Sequence, residues 1–235
     1  MTRPDGRRPD QLRPVRLRLG VQKDPAGSVE IALGDTVVLC AATVAESVKA
    51  WRKGQGAGWV TAEYAMLPGA VPERAGRSPS DRAREIQRLV GRSLRAAVDL
   101  AALGERTVTI DCDVIQADGG TRVAAVTAGC VALRLALERL HRQGLLLRPA
   151  ALTPVVAVSC AVVDGVAVLD PCYDEDHRAE VDANFVLDGA GRFVEVQCTA
   201  ERAAFDEGRL AEMAALARRG GAELLAAVQA AAPTG

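Results

Sequence analysis

The chain has 235 residues, with a hydrophobic fraction of 49%, an aromatic fraction of 3% and a formal net charge of -1 at pH 7. This length fits one domain or two small ones, and the apolar fraction is sufficient for a sizeable core. The near-neutral charge excludes a globally basic surface. The scarcity of aromatic residues means that any nucleic-acid binding would rely on backbone phosphates more than on base stacking.

The cysteines, histidines and apolar runs exclude further classes of protein. Six cysteines are scattered through apolar segments, without Cys-x-x-Cys spacing and without a signal peptide ahead of them, which indicates buried free thiols in a cytoplasmic protein. The two histidines, His141 and His177, are too few and too far apart to suggest a zinc site. No run approaches the ~18 apolar residues that a membrane span needs.

The first part of the chain is predicted to be β-structure. Its first dozen residues are basic and turn-rich, and we expect them to be extended. A hairpin turn is expected at Gly34 and Asp35, and residues 67–80 lack a hydrophobic period, which predicts a mobile loop. A helix is expected from about Ser80 to near Gly104, with one apolar face. The predicted strands are residues 15–19, 28–33, 36–44 and 59–66. The apolar face consists of Ile86, Leu89, Val90, Leu94, Ala97 and Val98.

The second part repeats the order of strands followed by helices. Residues 107–115 alternate like a half-buried strand, and residues 121–140 have the period of a helix with one apolar face. After a linker at 145–154, a final amphipathic helix is expected at 207–228. This order predicts an α+β or βαβ arrangement, with helices packed on a mixed sheet. The later strands are predicted at 155–163, 167–169, 180–187 and 192–196, with a turn at 189–191.

The transition from strand to helix at Gly119-Gly120-Thr121-Arg122 has the features of a phosphate site. A strand that turns through two glycines into a helix leaves several backbone N–H groups unpaired at one point. Thr121 adds a hydroxyl and Arg122 a forked cation. The spacing of a Walker loop is absent, so the site is expected to hold a single phosphate and not a nucleotide tail. The alternative interpretation is a tight turn with an N-cap.

A second candidate lies between Asp170 and Asp182, where six acids accompany a single arginine, Arg178. Carboxylates at this density repel one another, and a divalent cation such as Mg²⁺ or Mn²⁺ would relieve the repulsion. Asp176 and Asp182 are placed so that they could converge on one metal ion. The alternative is a solvated acidic loop.

Arginine dominates the basic residues, and many arginines fall between residues 74 and 95. Of 29 basic residues three are lysines (Lys23, Lys49 and Lys53), so 26 are arginines. Arg82 lies in the first turn of a predicted helix, where it could assist an anion bound at residues 119–122. The others are expected to be solvated or to contact a neighbouring subunit. The stretch contains Arg74, Arg77, Arg82, Arg84, Arg88, Arg92 and Arg95.

Several segments together resemble bacterial ribonuclease PH. The similarity extends over nearly the whole chain, and its motifs are specific. The segments are Arg3–Arg7 (RPDGR), Leu12–Pro14 (LRP), Gly58–Pro68 (GWVTAEYAMLP), Glu85–Ala96 (EIQRLVGRSLRA), Leu103–Thr107 (LGERT), Ile110–Arg122 (IDCDVIQADGGTR), Ala179–Asn184 (AEVDAN) and Gly191–Glu195 (GRFVE).

The resemblance implies a fold, an assembly and an activity. The fold would be an α+β ribonuclease PH-type domain spanning residues 1–235, with mixed sheets, packed helices and βαβ-like repeats. Six copies would form a ring, as a trimer of dimers. The activity would be phosphate-dependent 3′ to 5′ exoribonuclease action on transfer RNA precursors, with a part in ribosomal RNA processing. It would release nucleoside diphosphates and would run in reverse as a tRNA nucleotidyltransferase.

The resemblance also implies roles for individual residues. Arg82, Gly120, Thr121 and Arg122 would bind inorganic phosphate, the co-substrate. Asp176 and Asp182 would be the essential acids of the metal site, so that the catalytic set is Arg82, Arg122, Asp176 and Asp182. Arg74 and Arg77 are candidates for RNA binding.

The chain departs from the family at a few positions. The loop after Pro68 is shorter than in other members of the family. Gly69 and Val71 replace an arginine and a threonine that precede a basic stretch involved in binding transfer RNA. The affinity for transfer RNA is therefore expected to differ. Other departures are Val123, Ala125, Ala128 and Cys198.

Two other functions are less consistent with the sequence. A non-catalytic ring subunit would be indicated by loss of Arg82, Arg122, Asp176 or Asp182, and all four are present. A small-molecule phosphotransferase would need a nucleotide-binding glycine loop, which the sequence lacks.

Overall fold

The structure is a computed structural model that describes residues 2–78, 80–146, 148–202 and 204–231. In these residues the chain forms nine strands and four helices, besides a short 3-10 turn at Ala50–Arg52. The strands are β1 (Val15–Leu19), β2 (Gly27–Leu33), β3 (Thr36–Ala45), β4 (Trp59–Met66), β5 (Thr107–Gln116), β6 (Val155–Val163), β7 (Val166–Leu169), β8 (Val181–Asp188) and β9 (Phe193–Ala200). The helices are α1 (Asp81–Ala97), α2 (Thr121–Arg142), α3 (Tyr173–Asp176) and α4 (Glu207–Ala230).

The strands form two sheets, as the α+β prediction requires. The first is mixed, with strand order β1-β2-β3-β5-β4, and only its β4–β5 pair is parallel. Helix α1 connects these two parallel strands, which makes a βαβ unit. The second sheet is antiparallel, with order β7-β6-β8-β9. Buried side chains of both sheets and of α1, α2 and α4 belong to one continuous apolar cluster.

Helix α2 is more buried than its sequence pattern predicted. We expected one apolar face, yet buried residues occur all around the helix from Thr121 to Leu140. The reason is that α2 contacts strands of both sheets and α1. Three of the departures from the family, Val123, Ala125 and Ala128, are buried here in the core.

The predicted end of α1 was wrong. Ser80 caps its beginning, since its side chain accepts a hydrogen bond from the Ala83 N–H at 3.1 Å. We expected the helix to continue to near Gly104, but it ends at Ala97 because Val98 is extended and pairs with Leu152 of the linker. A β-branched residue fits this extended conformation well.

Two features bear on the expected location and redox state of the protein. No described helix has both the length and the apolar character that a membrane crossing requires. The six cysteines are free thiols, as the sequence predicted; five are buried as expected, but Cys198 is partly exposed.

Candidate functional site

The predicted phosphate and metal residues line a single cavity of about 380 Å³. Four elements contribute them: the first turns of α1 and α2, helix α3 and the start of β8. The sequence-predicted residues in its wall are Arg82, Gly120, Thr121, Arg122, Asp176 and Asp182. Residues up to 100 positions apart in sequence, Arg82 and Asp182, therefore line the same cavity.

The two glycines are required by the backbone at the entry to α2. Gly119 and Gly120 both have a φ of +71°, in the left-handed region. A Cβ on Gly119 would lie 2.6 Å from the carbonyl oxygen of Pro171. The first bond of the helix runs from the Ala124 N–H to the Gly120 carbonyl, so the amides of residues 121–123 have no helical acceptor. This is the geometry expected of an anion site.

The side chains beside this turn are oriented by neighbours. The Tyr64 hydroxyl donates to Thr121 Oγ at 2.8 Å, which leaves the threonine proton available to another acceptor. Arg122 Nη1 donates to Glu85 at 3.2 Å and to Gln197 at 3.3 Å. Arg82 is exposed, and in the described part of the chain its side chain makes no hydrogen bond or ion pair. Its charge is thus available to an anion.

The two acids face this positive wall. Burial raises the pKa of Asp176, and the charges of Arg82 and Arg122 offset part of that rise. Burial also raises the pKa of Asp182, and the charge of Asp176 raises it further. The two carboxylates are thus close enough to repel each other, which is the condition that a cation relieves.

The donor set fits a hard divalent cation held by few protein ligands. No described group of three or more His, Cys, Asp or Glu side chains has the arrangement of a metal site. Mg²⁺ commonly uses only one or two carboxylates and takes waters and substrate phosphate oxygens for its remaining ligands. The carboxylates of Asp176 and Asp182, beside a phosphate site, match that pattern.

The rest of the acidic segment corrects the sequence interpretation. We expected six acids opposed by Arg178 alone, but arginines from the N-terminal segment neutralise two of them. Arg13 donates to both oxygens of Asp170, from Nη2 at 2.7 Å and from Nε at 3.0 Å. Arg3 donates to both oxygens of Glu175, at 2.7 and 2.8 Å. The N-terminal segment is therefore anchored by buried ion pairs and is not simply an extended basic arm.

These ion pairs fix the loop that carries Asp176. Asp176 is the last residue of the short helix α3, which sequence patterns missed because one turn is too short to show a period. Glu175, within that helix, also accepts a hydrogen bond from the Cys172 N–H at 3.0 Å. The position of Asp176 thus depends on Arg3 through its immediate neighbour.

The arginines between residues 74 and 95 have different surroundings. Arg74 and Arg77 are exposed in the loop before α1, and neither lines the cavity. Arg92 pairs with Glu195 of β9 at 2.6 Å, and the Arg95 guanidinium lies 4.4 Å from the ring centre of Trp59. Of the whole stretch, only Arg82 reaches the candidate site.

The cavity also contains residues to which sequence analysis gave no role. Asn184 donates weakly to both oxygens of Asp182, at 3.3 and 3.4 Å, and its own carbonyl accepts from Ser159 at 2.8 Å. The spacing of Asn184, two residues after Asp182 on one strand, is a signal for a shared face. Ser159 lies opposite Asn184 on β6, and only strand pairing reveals it. The other additional wall residues are His177, Ala179, Glu201 and Arg202.

Comparisons with known proteins show the family to which the chain belongs. Residues 11–137 match the family model described as the 3′ exoribonuclease family, domain 1, and residues 153–220 match domain 2 of that family. Ribonuclease PH of Caulobacter vibrioides is 52% identical over 234 residues, covering 97% of this chain and 98% of the relative. Ribonuclease PH of Solibacter usitatus is 49% identical over 228 residues, covering 95% and 96%.

Solved structures share the fold at much lower identity. The Archaeoglobus fulgidus exosome with RNA bound to its active site matches with a TM-score of 0.82 and 23% identity, over 95% of this chain and 91% of the other. An archaeal exosome core matches with a TM-score of 0.79 and 21% identity, over 96% and 90%. Together with the sequence matches over nearly the full length, these likenesses establish that the chain belongs to the ribonuclease PH family of 3′ exoribonucleases.

Proposed function

We propose that the protein is a phosphate-dependent 3′ to 5′ exoribonuclease that trims transfer RNA precursors in the cytoplasm. It releases nucleoside diphosphates and, in reverse, acts as a tRNA nucleotidyltransferase. The observation that carries this proposal is the single cavity that brings Arg82 and the Gly120–Arg122 turn opposite Asp176 and Asp182. A non-catalytic ring subunit would have no need to keep all of these groups around one space.

The reaction follows from the arrangement of the wall. Inorganic phosphate binds the free amides at the start of α2, between the guanidinium groups of Arg82 and Arg122. One of its oxygens attacks the terminal phosphodiester, and the bond to the 3′ oxygen of the shortened RNA breaks. The phosphate is already an anion at neutral pH, so no side chain has to act as a covalent nucleophile or a strong base.

The acids and their neighbours complete the mechanism. A Mg²⁺ or Mn²⁺ ion held by Asp176 and Asp182 would supply positive charge to the transition-state oxygens and the departing 3′ oxygen. Asn184 and Ser159 hold the Asp182 carboxylate in its orientation. The arginines hold the attacking phosphate against electrostatic repulsion from the RNA.

Phosphate dependence is the experiment that tests this function. A 3′-extended transfer RNA incubated with the protein and Mg²⁺ should be shortened only when inorganic phosphate is present, and the released nucleotides should be diphosphates. An excess of nucleoside diphosphates should lengthen the RNA. Release of nucleoside monophosphates at an unchanged rate in phosphate-free buffer would show hydrolysis and would refute the proposal.

The metal site predicts the effect of neutral variants. Asp176→Asn and Asp182→Asn should each lower turnover about 100-fold or more, because charge on the transition state loses its compensation. Without metal, both variants should melt at the same temperature as the wild type or higher, because a repulsion between partly buried carboxylates is removed.

Calorimetric titration with Mg²⁺ and Mn²⁺ measures the loss of metal affinity directly. Asp174→Asn is the matched control, since this exposed acid belongs to the same segment and lies outside the cavity. If both cavity variants keep the turnover and the metal affinity of the wild type, Asp176 and Asp182 are solvated loop residues and not metal ligands.

We also propose that six chains form a ring, as a trimer of dimers, and that Arg74 and Arg77 help to hold transfer RNA. The exposure of both arginines in the loop before α1, and the fold shared with exosome cores, support this. Light scattering should give about 150 kDa, six times the 24.6 kDa chain, and Arg74→Glu/Arg77→Glu should weaken transfer RNA binding. A stable monomer at micromolar concentration would contradict the proposed ring. An unchanged affinity of the arginine variant for transfer RNA would contradict the role of Arg74 and Arg77.

A further inference from the structure

A second cavity of about 640 Å³ adjoins the candidate phosphate and metal site. The two cavities share part of their walls, namely Arg82, Gly120, Thr121 and Asp176. Its volume lies within the range of pockets that hold small organic molecules. A molecule in the second cavity would therefore lie directly beside phosphate and metal in the first.

The two cavities differ in chemistry. The first is lined mainly by charged and polar groups, including two arginines and two aspartates of the proposed mechanism. The second has an apolar side that the first lacks. That side consists of Met66, Val71, Pro72 and the ring of Tyr173.

Tyr173 is an aromatic residue that lines the second cavity and is nevertheless largely exposed to solvent. The chain has only two tyrosines, and this one is 56% exposed although it lies in the wall of a cavity. Its backbone N–H donates to Asp118 Oδ1 at 3.0 Å, and its ring stacks on His177 with centroids 5.4 Å apart and planes 23° apart. His177 Nδ1 in turn lies 2.9 Å from the Tyr173 carbonyl oxygen. The stacking on His177 thus orients the Tyr173 ring, while more than half of the residue remains exposed to solvent.

The proposed reaction needs a place for the nucleotide that leaves. Its phosphate must lie between the attacking phosphate and Asp176, at the wall that both cavities share. Its sugar and base must then extend away from this wall, and the flat ring face of a base fits the apolar side of the second cavity better than the charged first cavity. A fixed, exposed aromatic ring is the usual partner of an unpaired RNA base.

We propose that the second cavity receives the base of the 3′-terminal nucleotide and that Tyr173 stacks on it. This rests on the proposed function, because it assigns a subsite to that reaction. The carboxylate of Asp118 accepts hydrogen bonds from the Tyr173 backbone N–H and from Arg13. Stacking with little hydrogen-bond readout lets one cavity accept each of the four bases in turn.

The test compares two RNAs that differ only in the 3′-terminal residue, which is either natural or abasic. Affinity is measured by fluorescence anisotropy without phosphate, so that no turnover occurs. Wild-type protein should bind the natural end about 5- to 100-fold more tightly, the range expected for one stacked base. Tyr173→Ala should lose most of this preference, and Tyr173→Phe should keep it. The KM for phosphate should stay the same in both variants.

Trp51→Ala is the matched control, since Trp51 is also exposed, at 55%, and lines neither cavity. It should leave the ratio between the two RNAs unchanged, whatever it does to overall affinity. An unchanged ratio in Tyr173→Ala, or equal binding of both RNAs by the wild type, would overturn the inference while phosphate-dependent trimming continued. Loss of the phosphate requirement would instead refute the proposed function.

Discussion

Replacing Arg122 by alanine is expected to raise the KM for phosphate at least about tenfold, because the phosphate loses a bidentate, charged donor. The structure strengthens the expectation, since Glu85 and Gln197 both accept from Nη1 and so orient the guanidinium before phosphate arrives. Lysine at this position should restore only part of the affinity, because a point charge cannot reproduce the fork. Initial rates over a range of phosphate concentrations measure the effect.

Controls separate phosphate binding from general damage. Arg84→Ala removes an arginine from the same region whose partner is the exposed Asp81, and it should leave the KM for phosphate unchanged. RNA affinity of Arg122→Ala in phosphate-free buffer should change far less than the KM. A variant that keeps the wild-type KM would show that the turn at Gly120 is only a helix cap.

Removing Arg13 should strongly destabilise the fold. The side chains of Arg13 and Asp170 are each only 4% exposed, so Arg13→Ala leaves a buried carboxylate without its main partner. Breaking such a pair costs about 3–5 kcal/mol of unfolding free energy. Arg7, whose Nη1 lies 3.4 Å from Asp170, should hold the loss near the lower end. Denaturant unfolding at a fixed protein concentration gives the value.

The double variant Arg13→Met/Asp170→Asn tests the origin of that loss. With both charges removed, no buried charge is left unpaired, so the double variant should recover much of the stability. Asparagine also tolerates the φ of +51° at position 170. A double variant as unstable as Arg13→Ala would show that packing, and not charge, sets the cost.

The same pair fixes the direction of the acid response. Burial by itself would raise the pKa of Asp170, but hydrogen bonds and charge from Arg13 outweigh it and hold that pKa below its ordinary value. A carboxylate with a lowered folded-state pKa stabilises the fold above the unfolded-state pKa of about 3.9, and this stabilisation disappears as the pH falls through the folded-state pKa. Wild-type stability should therefore fall below about pH 4, and Asp170→Asn should lose that part of the pH dependence.

Local patterns predicted most of the elements because those patterns are set by nearby residues. Alternation located β1 and β4 at their observed bounds, and the glycine turn located the start of α2. The end of α1 escaped because Val98 pairs with Leu152, more than fifty residues away. The partners of Asp170 and Glu175 escaped for the same reason, since Arg13 and Arg3 lie 157 and 172 positions earlier.

In the candidate site too, local patterns predicted the residues that are close in sequence and missed those brought in by long-range contacts. Gly120, Thr121 and Arg122 are consecutive, so their motif carries the phosphate site within a few residues. Ser159 is in the wall only because β6 pairs with β8, and no local pattern indicates it. The acidic segment and the family resemblance both indicated Asp176 and Asp182, but neither revealed the second cavity or the position of Tyr173.

The distance along the chain between Arg3 and Glu175 has a consequence for synthesis on the ribosome. Arg3 cannot form its buried ion pair until Glu175, 172 positions later in the chain, has been synthesised. At about 5–20 residues per second, that wait is roughly 10–30 s. Until then Arg3 and Arg13 stay hydrated and the α3 loop has no anchor. A growing chain that has not yet reached Glu175 therefore cannot anchor the α3 loop, and it cannot begin to degrade RNA at that stage of synthesis.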